Sequence, residues 1–292
     1  MKYICLIILA ASVFLMSCGR FSNKQTDAGK NNAVRIVCVS KQLTELLFAL
    51  GQGDKIVGID ISSTYPPETK NITTVGYHRM LSAEGIISLN PTVVYYNGGT
   101  DASIGPETVI KQLKDVGIPM KEYPGTSTIE ETKSLIRQLA KEFGAEQKGE
   151  ELCTKLDADM KKAQEKLSAY TTKPKVLVIH YGRASNNYFV MGNSGNQNSM
   201  ITWAGGVNAA DTTGFKLLSA EVIARSQPDV ILATDFGYDQ LGSEEKFVEL
   251  PGIKLTPAAK NHKIYRIEEH DLIYPGPRTG ENVMKLIDLI HK

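Results

Sequence analysis

The sequence predicts an α/β protein made of two similar lobes of parallel β-sheet flanked by helices, joined by one long rigid helix. Three observations predict it. Short apolar runs of strand type alternate with helical periodicities along residues 34–145 and again along 173–292, and that alternation makes parallel sheets covered by helices. One unit is written twice, at 81–94 and 218–231, with Leu-Ser-Ala-Glu, a later isoleucine (Ile86, Ile223) and a proline (Pro91, Pro228) in the same places. A repeated helix, proline-led turn and strand implies two lobes of like topology. Between them, residues 146–172 have no proline and a lysine-, glutamate- and alanine-rich helical pattern, and Leu152, Leu156, Met160, Ala163 and Leu167 form one apolar stripe.

Taken in order, the chain opens with Lys2, an apolar run over 3–16, and then Leu15-Met16-Ser17-Cys18. This is the layout of a signal peptide, here residues 1–17, and its end resembles the lipobox of bacterial lipoproteins. The apolar run is shorter than the roughly 20 residues a bilayer span requires. The resemblance implies that Cys18 carries acyl chains. Residues 18–33, polar and poor in large apolar groups, then form a flexible tether. The expected location is outside the cytoplasm, lipid-anchored and facing the periplasm or the cell exterior, with the lipid as the only membrane contact. Two further cysteines, Cys38 and Cys153, fall in a strand and a helix pattern and are expected as buried thiols.

The first lobe, 34–145, starts with a strand at 35–39. Ser40 and a helix through Leu43, Leu46, Leu47 and Leu50 follow, stopped by Gly51 and Gly53. Strands are expected at 56–61 and 93–96, with Pro66 and Pro67 ending the ladder between them. A helix over about 106–116 leads to residues 120–123. The connecting helix is expected over about 150–170, roughly 30 Å long at 1.5 Å per residue. In the second lobe, 173–292, strands fall at 175–179, 230–233 and 264–267, and a helix over about 280–290 closes the chain.

Charge excludes some functions. With 33 basic against 32 acidic residues and no long run of either sign, nothing points to nucleic acid as a partner. Nucleophile-elbow and Walker motifs are missing, and the five histidines (78, 180, 262, 270, 291) are scattered without metal-ligand spacing. Catalysis is not expected.

The lipobox, Thr44-Glu45-Leu46-Leu47-Phe48-Ala49-Leu50-Gly51, the two Glu-bearing repeats and the long central helix together resemble the helical-backbone class of periplasmic binding proteins. That class serves ABC importers of vitamin B12, ferric siderophores and haem, and the likeness covers residues 34–292. Within it, Val75-Gly76-Tyr77-His78-Arg79-Met80-Leu81 and Tyr274-Pro275-Gly276-Pro277-Arg278 look like the haem-binding branch. The resemblance implies that haem is the transported ligand, held between the lobes; a corrinoid or ferric siderophore is the alternative cargo. It also implies that Glu84 and Glu221 dock on a permease dimer, one carboxylate per lobe. Separated charges of this kind fix orientation and speed encounter.

Ferric haem accepts a phenolate oxygen, and a neighbouring cation favours the phenolate over the phenol. The likeness of the Val75–Leu81 loop to the haem-binding branch thus implies Tyr77 as the iron ligand and Arg79 as the group that stabilises its phenolate, with His78 as the rival ligand. His180 and Tyr181 are candidates for a second ligand from the other lobe, and the residues do not choose between them. Tyr65, Asn97, Arg183 and Arg278 are the candidates for the remaining ligand contacts.

Overall fold

A computed structural model describes residues 33–77, 80–98, 107–183 and 185–292. The signal peptide, Cys18, His78 and Arg79 lie outside the described residues. Among the described residues, no helix is long and apolar enough to cross a membrane.

The first half runs β1 (Ile36–Cys38), α1 (Lys41–Ala49), β2 (Ile56–Ile59), β3 (Gly76–Tyr77), β4 (Met80–Leu81), α2 (Ala83–Ser88), β5 (Val93–Gly98), α3 (Glu107–Asp115), β6 (Met120–Pro124) and α4 (Ile129–Glu142). Its sheet is parallel throughout, in the order β2-β1-β5-β6, and β3 and β4 pair as a separate antiparallel ribbon. Alternation along β1 sends Ile36 and Cys38 into one apolar cluster and Val37 and Val39 into another, so the sheet is buried on both faces. Ser40 caps α1 by accepting from the Leu43 amide at 3.1 Å, and Leu43, Leu46, Leu47 and Leu50 are all in the core, as the periodicity requires.

α5 (Glu146–Leu167) starts earlier than the glycines suggest. Gly144, at φ +61°, ends α4, whereas Gly149 sits inside α5. A Cβ on Gly149 would lie 2.6 Å from that of Ala140, so glycine here permits close packing of α4 on α5 rather than breaking the helix. Twenty-two residues make α5 roughly 33 Å long. Near its start, Leu152 and Cys153 join the core of the first sheet; near its end, Met160, Ala163 and Leu167 join that of the second. Both Cys38 and Cys153 are buried free thiols.

The second half runs β7 (Lys175–Gly182), β8 (Asn187–Met191), α6 (Asn196–Trp203), β9 (Val207–Asn208), β10 (Phe215–Leu217), α7 (Ala220–Ser226), β11 (Val230–Thr234), α8 (Asp235–Leu241), α9 (Glu244–Phe247), α10 (Pro257–Lys260), β12 (Ile264–Ile267), α11 (Glu269–Ile273) and α12 (Thr279–Ile290). Its sheet has the order β10-β8-β7-β11-β12, with β9 also on β7. β7, β11 and β12 are parallel, and β8 runs antiparallel between β7 and β10. The antiparallel edge is not announced by the strand–helix alternation. Here too the faces are covered in alternation, Val176 and Val178 on one side and Leu177 and Ile179 on the other.

The two copies of the repeat fold alike, as α2–β5 and α7–β11. Ser82 and Ser219 cap their helices, accepting from Gly85 and Val222 at 3.0 and 3.3 Å. Asn90 and Gln227, equivalent residues just before the prolines, both have positive φ, 47° and 39°. The turn geometry is repeated along with the letters.

Candidate ligand cleft

Most of the side chains that link the lobes at this seam follow carboxyl ends of strands, where open α/β sheets place their ligands. After β1 come Ser40 and the first turn of α1, whose Lys41, Gln42 and Glu45 are all buried. After β12 come Glu269, His270 and Asp271 of α11. The two sets meet. Lys41 Nζ pairs with Glu269 at 3.0 Å and lies 5.0 Å above the Tyr274 ring. Gln42 donates to the Pro275 carbonyl at 2.5 Å and to Thr126 at 2.6 Å. Glu45 accepts from Arg278 Nε at 2.7 Å and is also hydrogen-bonded to His270.

Burial alone would push the Glu45 carboxyl up, but His270 and Arg278 outweigh it and hold the group below the usual carboxylate range. Glu269 behaves the same way: burial raises it, while Lys41 and His180 bring it below its ordinary value. Burial pulls the Lys41 ammonium down, and Tyr274 and Glu269 more than restore it. A charged seam thus closes the back of the space between the sheets.

Several of the candidate residues lie on this seam. Tyr65 is stacked under the Arg278 guanidinium at 3.7 Å, with the His270 ring 5.6 Å away. Arg278 also pairs with Asp271 at 2.8 Å, so its charge is committed to two carboxylates. Asn97, at the end of β5, is hydrogen-bonded to Ser40 and donates to Gln42 at 3.3 Å and to the Pro124 carbonyl at 3.2 Å. Tyr77, half-buried on β3, lies within electrostatic range of Tyr274, whose own phenol is pushed up by burial.

In the second lobe, strand alternation separates His180 from Tyr181. Tyr181 is 6% exposed, hydrogen-bonded to Asn186 and packed on Tyr188 and Phe236. The His180 side chain faces the seam instead. Burial lowers its pKa, and Glu269, Lys41, Asp235 and Arg183 are the charges it feels. Its Nδ1 lies 3.4 Å from the Thr234 hydroxyl. The Arg183 guanidinium rests on Phe236 at 3.9 Å. Glu84 and Glu221 are remote from this seam: both are exposed in the first turns of α2 and α7, and Glu221 pairs with Arg225 at 3.4 Å.

Sequence reasoning missed Lys41, Gln42, Glu45, Glu269 and His270. Their one local trace is that Lys41, Gln42 and Glu45 share the face of α1 opposite its leucines, a pattern that ordinarily marks a solvated face.

Two α/β lobes with a polar seam at the carboxyl ends of both sheets are the architecture of a two-lobed binding protein. The chain belongs to the periplasmic binding protein family, whose model matches residues 36–270. It is a substrate-binding component of an ABC transporter, a family of carriers and not of enzymes. It is 30% identical over 264 residues to the ABC transporter substrate-binding lipoprotein YvrC of Bacillus subtilis (strain 168), spanning 90% of this chain and 81% of that protein. It is 23% identical over 257 residues to the vitamin B12-binding protein of Vibrio parahaemolyticus, spanning 87% and 88% of the two chains. Among solved structures, the periplasmic heme-binding protein RhuT from Roseiflexus sp. RS-1, in apo form, superposes with a TM-score of 0.81 at 36% identity, covering 89% of this chain and 98% of that one.

Proposed function

We propose that the cargo is haem, that Tyr77 is its iron ligand and Arg79 the cation that favours its phenolate, and that the chain delivers haem to an ABC permease dimer. The observation that carries this reading is a tyrosine on the β3–β4 ribbon, beside the seam, in a chain 36% identical to a haem-binding receptor. His78 is the rival ligand. From the second lobe, His180 has the better claim over Tyr181, because Tyr181 is spent on packing. Arg183, Asn97, Tyr65 and Arg278 complete the site, the last two by holding the lobes rather than by touching the ligand. α5, within residues 146–172, is the spine between lobes 34–145 and 173–292. Glu84 and Glu221 dock on the permease, and Cys18 carries the lipid that keeps the receptor at the membrane.

The test is optical. Haemin added to the protein gives a sharpened Soret band and a charge-transfer band of phenolate-ligated ferric iron, and Tyr77→Phe weakens both. A haemin spectrum unaltered by the wild-type protein refutes the assignment. The second reading, a corrinoid, is favoured by the relative that binds vitamin B12; tighter retention of cyanocobalamin than of haemin in equilibrium dialysis would establish it instead.

A further inference from the structure

The register of the second sheet places Phe189 opposite His180 on one side and opposite Leu217 on the other. Directly opposed residues share a face, and Phe215, two residues before Leu217, shares it too. Farther along the same face, Val178 and Met191 are buried in the core with residues of α6 and α12. Cover ends before β10 is reached. Phe215 is 58% exposed and Leu217 55%, on a strand at the sheet's edge.

Two large apolar side chains side by side on an open edge strand invite aggregation, and such patches mark contact surfaces. The stripe is continuous with the cleft. The Phe215 ring meets His180 edge-on at 5.6 Å and 71°, and Phe189 at 6.4 Å and 79°. His180 in turn feels Glu269 and Lys41 of the seam, and also Arg183. An apolar strip thus runs from the rim to the seam with a cation beside it.

We infer that Phe215 and Leu217 form the second-lobe wall of the cleft and select a flat apolar macrocycle whose carboxylate edge turns toward Arg183. This rests on the haem reading and adds the residues that discriminate. A porphyrin face gains by covering the strip, and its carboxylates match the guanidinium. A corrin ring bears amides around its edge, and an apolar strip leaves them without hydrogen-bond partners.

The experiment compares haemin, metal-free protoporphyrin IX and cyanocobalamin on the full chain by absorbance and fluorescence titration. Protoporphyrin IX offers the same face and carboxylates without iron. Replacing both side chains (Phe215→Ser with Leu217→Ser) weakens haemin and protoporphyrin IX alike by at least about tenfold, the loss expected when apolar cover of this size is removed. Phe215→Leu keeps most of the affinity. Tyr77→Phe weakens haemin and spares protoporphyrin IX. Because both replaced side chains are more than half exposed, the fold is retained, which circular dichroism verifies. Wild-type protein that ignores haemin overturns the cargo and the wall together. Wild-type protein that binds haemin, with a double serine variant that binds both porphyrins as tightly, overturns the wall alone.

Discussion

Replacing Glu45 with alanine tests the seam directly. Its carboxylate is 5% exposed and is shared by Arg278, at 2.7 Å, and His270. Removing one partner of a buried ion pair typically costs about 3–5 kcal/mol, because the other charge stays behind unmatched. Arg278 keeps Asp271 at 2.8 Å and is 18% exposed, which places the cost at the lower end, about 3 kcal/mol. For a domain of this size each kcal/mol shifts Tm by about 2–4 °C, so Glu45→Ala should lower it by about 6–12 °C. Thermal unfolding followed by circular dichroism at pH 7 reads the shift. Glu45→Gln, which keeps a hydrogen-bond acceptor but no charge, should fall between the two. If Glu45→Ala melts within about 2 °C of the wild type, the seam does not hold the lobes by charge and the reasoning is wrong.

Acid should loosen the same seam. Glu45 and Glu269 sit below their ordinary value of 4.5, so the stability they contribute is complete above that pH and is lost as pH falls through their folded values. His180, lowered from 6.5, takes up its proton at a lower pH in the fold than in the unfolded chain, so the stability it contributes starts to decline below about pH 6.5. A wild-type Tm that stays flat from pH 7 to about 4.5 contradicts the His180 sign, one that stays flat as pH falls further below 4.5 contradicts the carboxylate sign, and Glu45→Ala should show a shallower fall below pH 4.5. Gly280→Ala would put a Cβ 2.7 Å from the Asp159 backbone and force α12 off α5. It should cost about 1–3 kcal/mol in urea unfolding, and an unchanged midpoint would show that the two helices yield without strain. Solution scattering with and without saturating haemin should give radii of gyration that agree within error, because α5 is rooted in both cores; a contraction on loading would disprove the stiffness of that connection.

Much of the fold is legible in local pattern. Ser40 with Leu43, Leu46, Leu47 and Leu50 specifies α1 from capping and periodicity alone, and the two Leu-Ser-Ala-Glu units specify two similar halves before any contact is known. The start of α5 is not legible, because a glycine inside a helix looks the same as one that ends it until the neighbouring helix is seen. Gly149 faces Ala140; Gly144 faces nothing within 4 Å. The seam is hidden for a related reason. Glu45 and His270 are 225 residues apart, and no local rule distinguishes a glutamate bound for a distant histidine from one bound for water. The edge strand β10 is only three residues long, too short for alternation to declare it.

One consequence of α5 concerns how a transporter recognises a filled carrier. Its first turns are rooted in one hydrophobic core and its last turns in the other, so a stiff α5 would hold the exposed glutamates on α2 and α7 at one separation, with the gap empty or filled. On the docking role proposed for Glu84 and Glu221, empty and full receptors would offer the membrane partner the same footprint. What differs is the chemistry at the mouth, where a bound molecule covers Phe215 and Leu217 and an empty receptor leaves them to water.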